Sequence, residues 1–138
     1  PYSKELILEN YLYAKGFYET NFEESITFFE NQIRQTEMNY ETCKMLAEMY
    51  FANQNYSKCA KLCKRVLNQI VYREERFIYI CLDIMYMSSL KKTNKLTLRQ
   101  RYSCYTRIAR YKQFIKRHVG CRSPYYRKIE ECKLVLKG

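Results

Sequence analysis

Apolar residues recur at helical spacing along nearly the whole chain. Phe22, Ile26, Phe29 and Ile33 stand at i, i+4, i+7 and i+11, one face of a helix over residues 22–35. A preceding helix over 4–17 carries Leu6, Leu8, Leu12, Tyr13 and Phe17 among its apolar positions. Residues 40–52 and 56–71 read as a second helical pair, and residues 75–90 as a strongly apolar helix with Phe77, Ile80, Cys81, Ile84 and Met85. The polar run 91–95 is a loop, and a long sixth helix extends from Leu96 to Val119, where Gly120 ends it. Ser123 and Pro124 then suit an N-cap and the first position of a last helix, reaching about Leu136. The pattern predicts an all-α chain of about seven antiparallel helices, more than roughly 60% helical and without strands.

Two segments align at a spacing of 34 residues: the run from Phe22 through Ser25 to Phe29, and the run from Tyr56 through Cys59 to Cys63. A short polar turn precedes each, 19–21 and 53–55, and before each turn stands an aromatic pair, Phe17-Tyr18 or Tyr50-Phe51. A helix–turn–helix period of this length belongs to solenoids, in which one hairpin cannot bury its own apolar face and stacks on the next.

On these residues the chain resembles the tetratricopeptide-repeat (TPR) superfamily. Residues 40–73 carry the resemblance best: Leu46-Ala47 is a bulky residue followed by a small one, and Tyr50 and Phe51 sit at the family's aromatic positions. Tyr56 opens the second helix, with Cys59 and Cys63 at its small and aromatic positions. Residues 6–39 fit at Ala14, Phe17, Phe22, Ser25 and Phe29, but the turn is one residue shorter and Gln32 replaces a small apolar residue. A third unit over 74–119 has Asp83 at the small position, and the helix over 123–137 closes a single domain. The resemblance implies stacked hairpins acting as an interaction scaffold or adaptor subunit of a larger assembly. Family members that bind acidic carboxy-terminal peptides use Lys and Asn four residues apart. Here Glu48 follows Lys44, and repels such a carboxylate. Glu30 together with the Leu46-Ala47, Tyr50-Phe51 and Tyr56 run is also similar to the amino-terminal domains of anaphase-promoting-complex TPR subunits. That similarity implies homodimerisation in a nuclear, cell-cycle assembly.

Composition supports helices. Only three Gly and two Pro are present, too few turn formers for an all-β chain, while 15 Tyr and seven Phe can wedge between helices. No apolar run reaches the ~18 residues of a membrane span. The sequence opens on Pro1 and not Met, without a signal peptide, as expected of a fragment or processed product. Seven cysteines include no CxxC pair, and His118 is the single histidine. A zinc site would need four thiolates from distant elements, so no cofactor is expected. Buried reduced thiols suit a reducing compartment, cytoplasmic or nuclear.

Charge divides the chain. Residues 1–57 hold four Lys/Arg against nine Glu, net −5; residues 58–138 hold 21 against five acids, net +16. Between Ile84 and Ile129 there is no acidic residue. In the sixth helix Arg99, Arg107, Arg110 and Arg117 fall within about a quarter of the circumference, opposite Leu98, Tyr102, Tyr105 and Ile108. Such a face needs an acidic protein surface, a second copy of the chain, or a polyanion. With Tyr111 and Tyr125 interleaved, segment 91–128 also has the composition of an RNA-binding surface, the alternative reading. Asp83, the only aspartate, has neither His nor Ser as a plausible partner, and no catalytic constellation emerges. The chain reads as a binding protein and not an enzyme.

Overall fold

Local capping decides where three of the six described helices begin. In the computed structural model, which describes residues 22–35 and 39–138, six helices follow in order: α1 (Phe22–Gln35), α2 (Tyr40–Ala52), α3 (Tyr56–Leu67), α4 (Arg76–Lys92), α5 (Leu98–His118) and α6 (Pro124–Lys137). The described residues are 79% helical and contain no strand. The expected helix over 4–17, with Ala14 and Phe17, lies outside them, so six helices stand where about seven are predicted. The Asn39 side chain accepts the Thr42 amide at the start of α2, and Ser123 accepts that of Tyr126 ahead of Pro124. Thr97 and Gln100 form a reciprocal capping box, which moves the start of α5 two residues past the predicted Leu96.

Helix ends are equally local. After α2, Gln54 takes a left-handed backbone (φ 61°), with Gln54 N–H donating to Phe51 and Asn55 N–H to Tyr50. Asn94 (φ 57°) ends α4 in the same way, with bonds to Lys91 and Leu90. These are Schellman stops built without glycine. Gly120, at φ 101°, follows α5 as the sequence predicts. Helix α3 ends at Leu67, short of the predicted residue 71, because Gln69 and Ile70 both donate to the Val66 carbonyl.

The helices stack as hairpins. Helix α1 packs on α2; α2 and α3 form a hairpin; and α4 packs across both of its members. Helix α6 repeats that relation, lying against α5 and α4. Successive helices α4 and α5 are antiparallel, since Asp83 meets Arg107 while Phe77 meets Phe114. Their backbones nevertheless approach each other less than those of α2 and α3.

Two apolar layers result. The first joins Phe29, Leu46, Cys63 and Val66 to Leu82 of α4. The second joins Ile80, Ile84 and Met87 of α4 to Ile108, Ile115, Ile129 and Leu136. Of the positions that carry the repeat pattern, Phe29, Leu46, Ala47, Tyr50, Cys59 and Cys63 are buried. Tyr56 is half-buried, edge-on to Phe51 with ring centroids 5.2 Å apart. Phe22 opens α1.

Six of the seven cysteines are buried and free, and Cys121 is exposed. Burial pushes the Cys43 and Cys132 thiols up to about 11. At pH 8 a thiol reagent should therefore modify one equivalent rapidly in native protein and the other six only on unfolding. Rapid reaction of several thiols would contradict the packing. Because the unfolded thiols ionise near pH 9.0 and these two folded ones near 11, the unfolded state binds fewer protons between those values. Stability should accordingly fall as pH rises from 9 to 11, by about 1.4 kcal/mol per unit for each thiol.

Candidate interaction surfaces

Asp83 projects from an apolar stretch of α4 and is 4% exposed, a position that requires a partner. Arg107 of α5 supplies it: Nε donates to Oδ2 at 2.9 Å and Nη2 to Oδ1 at 3.3 Å. The Tyr111 hydroxyl donates to the same Oδ2 at 2.5 Å. Burial and the neighbouring carboxylate push that phenol far above its usual range, so it remains a donor. For Arg107, desolvation opposes the charge, but Asp83 outweighs it and holds the guanidinium protonated.

This triad corrects two of the expected binding residues. Arg107 is an internal partner of α4, and Tyr111, 3% exposed, has no face free for a base to stack on. Tyr125 is half-buried with its ring 5.1 Å from Phe77, which also meets Phe114 at 5.5 Å. Arg76 lies over the Phe114 and Tyr72 rings. Aromatic and cationic residues interleave here as predicted, but largely to pack α4, α5 and α6 together at one end.

Arg99, Arg110 and Arg117 are exposed along α5. Leu98 and Tyr102, expected on the buried side, are 76% and 77% exposed. The buried stripe of α5 is narrow: Cys104, Ile108, Tyr111 and Ile115. Tyr102 lies exposed beside Leu98, Arg101 and Tyr105, whereas Tyr111 is inside.

On another side of the stack, α2, α4 and α6 together line a groove of about 320 Å³. Phe51, Ile84, Met85, Cys132 and Val135 give it an apolar floor. The Cys132 thiol donates to the Ile84 carbonyl at 3.4 Å, holding α6 against α4. At the rim, Glu48 lies 3.9 Å from Lys44 and 3.7 Å from Lys128, so one carboxylate ties α2 to α6. Glu41 approaches Lys44 at 3.5 Å. These carboxylates raise the Lys44 pKa despite desolvation. Glu48 is therefore neutralised inside the protein rather than facing a ligand alone. Sequence periodicity did not find the groove. Its available signal was that α2 and α4 are apolar on most sides, as interior helices are, whereas α3 and α5 show one apolar stripe each.

Among the described residues no helix is long and apolar enough to cross a membrane. No protein-family profile, curated protein or solved structure matches the chain.

Proposed function

We propose that the chain is a protein-interaction scaffold of tetratricopeptide type that receives a segment of a partner protein in the groove between α2, α4 and α6. The observation that carries this reading is the apolar floor contributed by three alternating helices, with the rim carboxylate of Glu48 already paired to Lys44 and Lys128. A floor of this kind accepts an apolar side chain, while Glu131 remains at the edge for polar contacts. Selection of a random peptide library on the protein tests it. Selected peptides should bind the parent and lose at least tenfold in affinity, about 1.4 kcal/mol, on Val135→Asp, a half-buried position at the edge of the floor. Peptides that bind both proteins equally would place the docking surface elsewhere.

Exposed Arg99, Arg110 and Arg117, with Tyr102 also exposed on the same helix and no acid from Ile84 to Ile129, favour a second reading: RNA binding along α5. Charge reversal of the three arginines should leave the melting temperature nearly unchanged and abolish binding of a labelled oligouridylate. The parent's affinity should fall linearly with salt on logarithmic axes. Unchanged affinity in the triple variant would exclude this face. The opposed charges of the two sequence halves also support a self-associating subunit, whose scattering mass should fall as salt rises.

A further inference from the structure

A second groove, of about 330 Å³, lies between α1, α2 and α3 and differs in character. Lys58, Lys61 and Arg65 stand at i, i+3 and i+7 on α3, and Arg34 in the last turn of α1 faces the same space. All four are exposed, and none enters an ion pair between described residues. Glu30 is the single carboxylate of the lining among the described residues, and its Oε2 accepts the Tyr50 hydroxyl at 2.6 Å. Among the described residues, four cations around one carboxylate leave a surplus of three positive charges at a concave site, which repel one another unless an anion enters. The floor is apolar, formed by Ile33, Leu46 and Leu62.

We infer that this groove binds a short acidic segment of a protein, its carboxylates meeting Arg34, Lys58, Lys61 and Arg65 and one apolar side chain resting on the floor. The inference shares with the scaffold reading only that the ligand is a protein; the site is separate from the α2–α4–α6 groove. A peptide suits it better than a nucleic acid. Tyr50, the one aromatic residue of the lining among the described residues, is 6% exposed, holds Glu30 with its hydroxyl and lies under Lys58, whose ammonium is 5.9 Å from the ring centroid. Among the described residues no aromatic face is left for a base.

The test uses a fluorescein-labelled peptide of aspartates and glutamates flanking a single leucine, titrated by anisotropy against the full chain. Binding should weaken with salt and fall roughly tenfold, the loss of about 1.4 kcal/mol, in Lys61→Ala/Arg65→Ala. The charge-conserving Lys61→Arg/Arg65→Lys variant should retain it, and a glycine in place of the leucine should weaken it. Val135→Asp and Arg110→Ala/Arg117→Ala should bind as the parent does. Equal binding by Lys61→Ala/Arg65→Ala overturns the inference. So does loss of binding in Val135→Asp, which would put the peptide in the other groove, or in Arg110→Ala/Arg117→Ala, which would put it on α5. Displacement of the peptide by oligouridylate at equal charge, abolished by Lys61→Ala/Arg65→Ala, would instead make the groove a nucleic-acid site.

Discussion

Asp83→Ala should lower the unfolding free energy by about 3–5 kcal/mol, measured by urea denaturation. Without the carboxylate, the Arg107 guanidinium loses two charge-assisted hydrogen bonds and the buried Tyr111 hydroxyl loses its acceptor. Ser103 Oγ, 3.0 Å from Arg107 Nη1, cannot neutralise the charge left behind. The deficit belongs to the uncompensated partners more than to the lost pair. The triple variant Asp83→Leu, Arg107→Met, Tyr111→Phe should therefore recover most of it, because buried ion clusters are often replaceable by apolar residues. A loss below about 1 kcal/mol in Asp83→Ala would mean that water solvates this cluster freely, contrary to its burial.

Ala47→Leu should cost about 1–3 kcal/mol through overpacking. Ala47 is fully buried, and its carbonyl accepts the Cys59 thiol at 3.4 Å, which places the α2 backbone directly against α3. Larger side chains must force those helices apart or adopt a strained rotamer. Ala47→Ser, nearly the same size, should be tolerated much better. An unchanged melting temperature in Ala47→Leu would show that the α2–α3 contact yields without strain.

What the sequence revealed was mostly local. Ser123, Pro124 and Gly120 act within one turn of their own helices, so these starts and stops could be read within a few residues, whereas the Asn39 and Thr97 caps appear only in the structure. Asp83 also advertised its need for a partner, being the sole aspartate in an apolar helix, but the partner stands 24 residues away on α5. On a helical wheel Arg107 looks like one more member of the cationic face. Only the position of α4 separates it from Arg99, Arg110 and Arg117. Tyr111 was misread for a related reason: its basic neighbours suggested a ligand platform, whereas its register with Cys104, Ile108 and Ile115 puts it inside. Leu98 and Tyr102 show the converse. They are apolar by type yet lie off that stripe, on a helix covered from one side only. Both grooves depend on three helices each, and no periodicity within one segment encodes such a meeting.

Helix α4 contributes to both apolar layers, Leu82 on one side and Ile80, Ile84 and Met87 on the other. Neither half can consequently melt as an independent unit: loss of either layer strips a neighbour from the same helix. Amide protons in the middle of α4 should exchange only through global opening, while those of α1, packed on α2 alone among the described helices, exchange through local opening. A cleaved chain ending in the loop after α4 would retain the first layer yet present Ile80, Ile84 and Met87 bare to solvent, an adhesive surface that favours aggregation over refolding.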